Sequence, residues 1–324
     1  MSLLDERIID WRGNPAVDNL DPTPRTGLGM CRGHHGELLQ GAFWIDGSLV
    51  RALVTLPLPD VAAVASAELS PDQAGIVVQP EWKTKAGRAA RLTLDLLGVE
   101  HGCQVSLSSD IPVGLGLGSS TADVVATIRA VSDAAGHRLP GRTVARLAIA
   151  AEYAADSVMF SGSVPLFAHR EGRVLDVLGP ELPPLLVVGC VLAPTGVDTL
   201  ELPPAEYTPA EISQLGALLG ATRHAVRHGD PVLLGRVATR SAEINQRFVP
   251  LPLMPELRRL AEAVGAVGVQ VAHSGTVAGV LFDGRDPRAA RAASERCRAG
   301  LASLGIAETY RYAPYESHWR AVHR

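Results

Sequence analysis

The spacing of apolar positions divides the first half of the chain into two kinds of segment. Between residues 30 and 107 short apolar stretches predict strands, and residues 103–107 alternate apolar and polar side chains with the strand period of two. The apolar positions of residues 119–135 instead recur every three or four residues, which predicts a helix that ends at Gly136. The pattern therefore predicts a strand-rich region followed by a strand–loop–helix unit.

The rest of the chain continues with helices and strands. A second helix fits residues 142–155, and residues 164–178 predict a hairpin that turns at Glu171 and Gly172. Prolines interrupt the pattern across residues 193–209, which favours a boundary there. Beyond this boundary the pattern predicts helices over 210–228, 232–248, 255–264 and 286–304, and strands over 267–272, 277–282 and 306–312.

These elements predict an α+β protein with two domains, because 324 residues are many for a single core. Residues 1–28 are polar and punctuated by prolines, which indicates a loose lead-in. Residues 29–192 form the strand-rich first domain with two helices, and residues 193–324 form a smaller α/β domain.

Composition and charge narrow the class of protein. Hydrophobic residues make up 47% and charged residues 20% of the chain, as in a packed soluble protein, and the net charge of −4 argues against a nucleic-acid partner. The sequence shows no run near the ~20 apolar residues that span a bilayer and begins with acidic residues unlike a signal peptide, so we expect a cytoplasmic protein without a membrane partner. Four widely separated cysteines predict buried, reduced thiols.

The segment IPVGLGLGSSTAD, residues 111–123, places three glycines directly before the predicted helix. Glycine costs conformational entropy, so this loop either needs unusual torsions or brings its backbone close to another group. Loop N–H groups and a helix N-terminus can bind a phosphate chain, and the hydroxyls of Ser119, Ser120 and Thr121 can bind phosphate oxygens or Mg²⁺. A glycine-rich turn with Ser119 as a helix cap explains the same residues, so both interpretations stay open.

The loop resembles motif 2 of the GHMP kinases, written P-x-x-x-G-L-G-S-S-A. The residues that match this motif are Pro112, Gly116, Leu117, Gly118, Ser119 and Ser120. The usual alanine is replaced by Thr121, and the loop matches neither a Walker A sequence nor a dinucleotide fingerprint. The resemblance implies ATP as the cofactor, bound by these residues together with Gly114.

Two further segments resemble the other motifs of this family. GHHGELLQGAF, residues 33–43, is similar to motif 1 of the branch that contains L-threonine kinase, with His35 in place of the cysteine of C-G-E-L-x-Q-G. AHSGTVAGVLF, residues 272–282, resembles motif 3. Together the motifs imply the two-domain fold of the family, with an N-terminal domain like domain 2 of ribosomal protein S5 and a ferredoxin-like C-terminal domain.

The resemblance also implies roles for individual residues. Ser120 and Glu152 would hold Mg²⁺, and Asp156, which can share a helix face with Glu152, is the candidate catalytic base. Adjacent residues on a strand point to opposite faces, so one of His34 and His35 is expected at the phosphoryl site, and we assign His35. The residues expected to bind the substrate are Glu37, Gln40, Ser274, Gly275 and Thr276.

The implied function is phosphorylation of a small-molecule hydroxyl by Mg²⁺ and ATP. A hydroxy amino acid such as L-threonine is the implied acceptor, and the protein is expected to be a monomer or a homodimer. The substitution of the branch's cysteine by His35 leaves open a kinase for another small alcohol in a cofactor or natural-product pathway. Two alternatives from other classes are a catalytically silent ligand sensor and a phosphate-binding subunit of an assembly.

Structural roles also explain several of these residues. Asp156 can be an ordinary turn residue at a solvated helix end, and Glu37 and Gln40 can be satisfied by their own backbone at a strand junction. The joint presence of Ser120, Glu152 and Asp156 nevertheless favours a working phosphotransferase over a silent sensor.

Overall fold

The computed structural model describes residues 25–71, 75–192 and 205–314. The described residues form the strands β1 (Arg25–Ile45), β2 (Ser48–Ser70), β3 (Ile76–Gln79), β4 (Gly102–Ser109), β5 (Val164–Ala168), β6 (Arg173–Gly179), β7 (Leu185–Val191), β8 (Gly268–Val271), β9 (Val277–Asp283) and β10 (Thr309–Tyr312). They also form the helices α1 (Thr84–Leu97), α2 (Ser119–Ala134), α3 (Gly141–Glu152), α4 (Pro209–His228), α5 (Pro231–Asn245), α6 (Met254–Val264) and α7 (Pro287–Ser303). This is the α+β architecture that was predicted, with two sheets.

The first sheet is built on a long antiparallel hairpin of β1 and β2. These strands contain 21 and 23 residues, so the prediction of short strands is corrected here. β2 also pairs with β4 and β5, and the strand order is β3-β4-β2-β5-β6 with β1 beside β2. The pairing shifts register between Arg32 and Gly33 and twice more between His34 and Leu39. Such irregularities re-aim side chains, and here they fall within the segment that resembles motif 1.

Helix α1 corrects the expectation that residues 30–107 form strands alone. Its buried positions have helical spacing and are Ala86, Ala89, Ala90, Thr93 and Leu94. Three of these side chains are single methyl groups, so the apolar stripe that would predict the helix is weak in the sequence. The helix packs against α2 and α3 and brings Lys85, in its first turn, to the glycine loop.

Helix α2 lies unusually close to β1. A Cβ atom at Gly29 would lie 2.0 Å from the carbonyl oxygen of Ala126, and one at Gly27 would lie 2.1 Å from the backbone nitrogen of Ala134. The missing side chains therefore let the helix backbone touch the strand. This contact holds α2, whose N-terminus carries the motif 2 serines, at a set distance from the motif 1 strand.

The second sheet has the strand order β10-β7-β9-β8, and α6 and α7 pack against it. β7 pairs with β9 and β10, so this sheet begins before the boundary expected at residues 192 and 193. The division into domains stays a prediction, and residues 193–204 lie outside the described residues. The two halves are joined by polar contacts as well as by packing, since the Gln40 N–H donates to Ser241 Oγ at 3.0 Å.

Most other predicted elements are confirmed with small shifts at their ends. The second predicted helix ends at Glu152 because Tyr153 adopts a left-handed conformation with φ 69°, and the hairpin of β5 and β6 turns at Glu171 and Gly172 as expected. The predicted lead-in overlaps the start of β1, and its residues 1–24 lie outside the described part of the chain.

All four cysteines are free and buried, as expected. Among the described residues, the structure contains no helix that is both long and apolar enough to cross a membrane. The cellular location and the oligomeric state stay predictions.

Candidate active site

A cavity of about 920 Å³ opens between the glycine loop, strand β1 and the turn after β8. The predicted site residues that line it are Glu37, Gln40, Gly114, Gly116, Gly118, Ser119, Ser120, Thr121, Glu152, Asp156 and Ser274, and His34, which was not assigned to the site, lines it as well. A larger cavity of about 1210 Å³ runs beside Arg129 and Met159 and is lined by none of the predicted site residues. We therefore take the cavity of about 920 Å³ as the candidate active site, because residues of all three motifs line it.

The loop glycines have unusual backbone torsions and also lie close to other groups, so both explanations for them apply. Gly114, Gly116 and Gly118 all have positive φ, at 80°, 69° and 77°, which favours glycine. A Cβ atom at Gly116 would lie 2.2 Å from Ser274 Oγ, and one at Gly118 would lie 2.1 Å from His34 Cδ2. The close neighbours of these two glycines are thus side chains of the protein itself.

Hydrogen bonds hold the loop against the other two motifs. The N–H of His34 donates to the Leu117 carbonyl at 3.1 Å, and Thr276 Oγ1 donates to the Leu115 carbonyl at 2.9 Å. Thr276 Oγ1 also lies 2.6 Å from Ser274 Oγ. The structure therefore gives Thr276 and Leu117 a role in holding the loop, and it places the predicted ligand contacts Pro112, Leu117, Gly275 and Thr276 outside the cavity lining.

The N-terminus of α2 points its first residues at the cavity. The helix begins at Ser119 with Gly118 as its cap, and no side chain caps it. Ser119 is therefore the first residue of the helix and not its cap. The uncapped N–H groups and the positive end of the helix dipole lie where Ser119, Ser120 and Thr121 line the cavity, which is the arrangement that favours a bound anion.

Ser120 and Glu152 meet beside this helix end. Ser120 Oγ donates to Glu152 Oε2 at 2.6 Å, and Lys85 Nζ lies 3.1 Å from Ser120 Oγ and 3.7 Å from Glu152 Oε2. Glu152 is buried, and its second oxygen, Oε1, has no hydrogen-bond partner. Burial raises the pKa of this carboxyl, although hydrogen bonds from Ser120 and Thr121 and the charge of Lys85 oppose the shift.

This oxygen set fits Mg²⁺. A hydroxyl and a carboxylate with one unpartnered oxygen are hard ligands of the kind this cation prefers, and phosphate oxygens at the helix end would complete the shell. Sequence reasoning missed Lys85, because the helix that carries it was not predicted. Its ammonium group would lie next to the phosphates as a second positive charge.

Asp156 follows α3 and contacts His34. His34 Nε2 lies 2.8 Å from Asp156 Oδ2. Burial would raise the pKa of Asp156, but the attraction of His34, with additions from His169 and His273, holds that pKa below its usual value. Burial would lower the pKa of His34, but the charge of Asp156 outweighs this effect, so the pKa of His34 is raised. Asp156 is therefore an ionised carboxylate at the cavity wall.

Glu37 and Gln40 both contact His273 from the same side of the cavity. Glu37 Oε2 accepts from the His273 N–H at 2.9 Å, and Gln40 Oε1 lies 2.8 Å from His273 Nδ1. Burial and the charge of Asp156 raise the pKa of Glu37 to about 8. The backbone alternative for these two side chains does not hold, because a different segment of the chain partners both of them.

His35, the predicted catalytic histidine, does not line the cavity. Its side chain points away from the cavity into the second sheet, where Nδ1 lies 2.8 Å from Gln270 Oε1. The ring centroid lies 5.6 Å from those of both Tyr310 and Tyr312, and the ring lies close to Gly189 and Gly279, which have no side chains to block it. The side-chain alternation was predicted, but the face that each histidine takes is the reverse of the assignment. His34 is the histidine at the site.

Arginines complete the cavity wall. Arg51, Arg170 and Arg247 line it, together with His169. Arg247 is tied to Glu211 at 2.7 Å, whereas Arg51 donates to the carbonyl of Ala205. Sequence reasoning missed Arg51 and Arg170, because nothing in the local pattern of β2 or the β5–β6 turn marks them as site residues.

Comparisons with known proteins match both halves of the chain to one family. The family model of the GHMP kinase N-terminal domain matches residues 84–168, and that of the GHMP kinase C-terminal domain matches residues 222–300. The chain is 31% identical over 257 residues to an L-threonine kinase of Salmonella typhimurium, which covers 79% of this chain and 83% of that relative. It is also 29% identical over 227 residues to a 4-diphosphocytidyl-2-C-methyl-D-erythritol kinase of Geobacter sp. strain M21, covering 67% and 74% of the two chains.

A solved structure shares the fold. The crystal structure of a homoserine kinase from Cytophaga hutchinsonii superposes with a TM-score of 0.66 and 18% identity over 93% of this chain and 96% of the other. At that identity the likeness concerns the fold alone.

Proposed function

The chain belongs to the GHMP kinase family, and on that basis we propose that it transfers a phosphoryl group from ATP to the hydroxyl of a small hydroxy amino acid such as L-threonine. The observation that carries this proposal is the placement of an ionised Asp156 in the same cavity as the glycine loop and the Ser120–Glu152 pair. A phosphotransferase needs a phosphate cradle, charge neutralisation and a proton acceptor within reach of one another.

The glycine loop and the N-terminus of α2 would bind the ATP phosphates. Backbone N–H groups and the hydroxyls of Ser119 and Thr121 supply donors, and Lys85 supplies a positive charge. Mg²⁺ held by Ser120 and Glu152 would neutralise the phosphate charge when it is bound. The chain's own residues thereby orient the nucleotide toward the cavity that contains Asp156.

Asp156 would accept the proton of the acceptor hydroxyl. Its pKa lies below the usual value, so the carboxylate is available as a base at neutral pH. The loose transition state of phosphoryl transfer asks little of a base, so the contribution of Asp156 should lie toward the lower end of the roughly 10²- to 10⁴-fold range of such groups.

Polar and charged groups that line the same cavity support an amino acid as the acceptor. Glu37 is placed to bind an ammonium group, and Arg51 and Arg170 offer positive charge for a carboxylate. The 31% identical relative is named as an L-threonine kinase, which agrees with this arrangement. A kinase for a different alcohol is the second candidate, favoured by the 29% identical relative that is named as a 4-diphosphocytidyl-2-C-methyl-D-erythritol kinase.

A screen for ADP release tests the proposal. The wild-type protein with Mg·ATP is offered L-threonine, L-serine, L-homoserine and small alcohols that lack the amino and carboxylate groups. We expect turnover of at least one hydroxy amino acid. We also expect Asp156→Asn to lower kcat by about 10²-fold with little change in the KM for ATP. Turnover confined to the uncharged alcohols would refute the amino-acid assignment, and full kcat in folded Asp156→Asn would remove the base.

A further inference from the structure

We propose that His34 is a positioning residue that holds Asp156 as an oriented, ionised base. The inference rests on the proposed function, because it concerns how the base of that reaction is kept ready. It starts from one contact, in which His34 Nε2 lies 2.8 Å from Asp156 Oδ2, and from three further contacts that leave the imidazole ring a single arrangement.

The first of these contacts sets the tautomer of His34. The backbone N–H of Gly36 donates to His34 Nδ1 at 3.0 Å, so Nδ1 acts as an acceptor. In a neutral imidazole the proton then resides on the other nitrogen, Nε2, which is the one that faces Asp156. The short backbone turn that makes this possible needs Gly36, whose φ is 71°.

The other contacts hold the ring in place. The backbone N–H of His34 donates to the Leu117 carbonyl of the glycine loop, and the ring occupies the space where a Gly118 side chain would stand. The ring is buried, with 4% of the residue exposed. His34 therefore contacts both the glycine loop and Asp156, so a displacement of the loop would also move the partner of the base.

The surrounding charges agree with this role. Burial would lower the pKa of His34, but Asp156, with smaller contributions from Glu37 and Glu152, raises it, and His169 and His273 add to His34 in lowering the pKa of Asp156. About a fifth of the Asp156 side chain stays exposed, whereas the histidine is covered. In the reaction the acceptor oxygen forms its bond to phosphorus, the bond from phosphorus to the ADP oxygen breaks, and the hydroxyl proton passes to Asp156. The proton on His34 Nε2 stays where it is.

Kinetics of four variants test the role of His34. We expect His34→Ala to lower kcat about 10- to 100-fold and to move the acidic limb of the kcat profile to higher pH, because Asp156 loses the group that lowers its pKa. His34→Gln places an amide donor near the position of Nε2 and should restore most of the activity. In an Asp156→Asn background, His34→Ala should cost less than about 3-fold, because two residues that act through one interaction are not additive. His101→Ala serves as the control and should leave both kcat and the profile unchanged.

Three results would overturn the inference. They are an unshifted acidic limb in folded His34→Ala, equal losses from the alanine and glutamine variants, and full additivity with Asp156→Asn. The ligating atoms of His34, Glu37 and Asp156 lie within 4.8 Å of one another. Binding of Mn²⁺ by the nucleotide-free protein that is lost in His34→Gln but kept in Glu152→Gln would therefore also overturn it, because the cluster would then be a metal site.

A spectroscopic measurement separates this inference from the proposed function. Nitrogen-15 NMR of the free protein reports the imidazole tautomer without any turnover, and the His34 signals are identified by their absence in His34→Gln. We expect the Nε2–H form. A neutral imidazole protonated on Nδ1 alone, which leaves Nε2 without a proton toward Asp156, refutes the positioning role even in an active kinase. If the protein phosphorylates none of the acceptors but His34 has the Nε2–H form, the proposed function is refuted and the contact between His34 and Asp156 is retained.

Discussion

Glu37 is a carboxyl group that the fold keeps away from water at the edge of the cavity. Burial and the charge of Asp156 raise its pKa from 4.5 to about 8, against the opposing effects of His34 and the His273 N–H. At neutral pH the native protein therefore holds a proton there that the unfolded chain has lost. An ammonium group in the cavity would displace that proton, which links acceptor binding to the state of Glu37.

The same shift predicts how Glu37→Gln changes stability. Because the pKa is higher in the native state, Glu37 increasingly favours unfolding as the pH rises from 4.5 toward 8. Glutamine keeps the acceptor for the His273 N–H without this penalty. We expect Glu37→Gln to raise the free energy of unfolding at pH 7.5 by about 4 kcal/mol and to leave it nearly unchanged near pH 4.5. Urea unfolding at both pH values measures this, and an equal change at the two would contradict it.

Glu152 differs from Glu37 in having Ser120 and Lys85 beside it. If Ser120 and Glu152 hold Mg²⁺, then Glu152→Gln weakens the metal site by removing a charge while keeping the size of the side chain. We expect a lower turnover and a Mg²⁺ concentration for half-maximal rate that rises about 10-fold or more. Titration of the rate with Mg²⁺ at saturating ATP tests this. A matched variant is Glu243→Gln, whose carboxylate pairs with Arg240 and Arg258 away from the cavity. If Glu152→Gln does not change the Mg²⁺ concentration for half-maximal rate, Glu152 is not a ligand of the metal.

At the level of elements, the contact between β1 and α2 sets the distance between the motif 1 strand and the phosphate-binding helix. Two glycines of β1 make this contact, and at each of them a Cβ atom would meet backbone atoms of the helix. Backbone atoms cannot rotate aside as a side chain can. An added methyl group must therefore push the whole helix away from the strand.

This contact predicts opposite effects for two glycine substitutions. Gly29→Ala would bring a methyl group within 2.0 Å of the Ala126 carbonyl oxygen, so we expect a loss of stability of about 1–3 kcal/mol. Gly216→Ala, inside α4 with nothing within 4 Å of its Cβ position, should raise stability by about 0.5–1 kcal/mol. Urea midpoints of the two variants measure both effects. A neutral Gly29→Ala would show that α2 can move away from β1 at little cost.

On the scale of the whole molecule, the four cysteines report on both halves of the protein. Burial raises the pKa of Cys31, Cys190 and Cys297 to about 12 and that of Cys103 to about 11. Cys31 and Cys103 lie in the core of the first sheet, and the other two lie in the core of the second. None of these thiols can react until the core that contains it opens.

Thiol labelling therefore measures the opening of each half. We expect the native protein to react with an aromatic disulfide reagent only at the rate of unfolding, and all four thiols to react at once in denaturant. If opening of the core of the first sheet releases the nucleotide, Mg·ATP at 100 times its Kd should slow labelling of Cys31 and Cys103 by about 100-fold. Mass spectrometry identifies which cysteine reacts first. Rapid reaction of any one of them in the native protein would show that its core opens locally.

Local patterns determined much of this protein. The glycine loop, the hydroxyl residues after it and the start of α2 lie within one short segment, so the sequence alone predicts an anion-binding helix end. The pair of Ser120 and Glu152 was predicted by a family resemblance, and the structure brings the two side chains to 2.6 Å. Except for the weakly apolar α1, which was not predicted, the predicted helix ends lie within a few residues of the observed ones. Hydrophobic period and helix caps are local signals, so they can be read from the sequence.

Only the tertiary structure decided which histidine faces the site. Strand alternation separates His34 from His35, but the choice of face depends on register shifts in β1 and on the row of small residues in the second sheet that admits the His35 ring. Lys85 and Arg51 reach the cavity for a similar reason, since their elements meet it only after packing. Periodicity acts over a few residues and is therefore legible in the sequence. The pairing of distant strands is set by the shape and volume of a shared core, which no single segment contains.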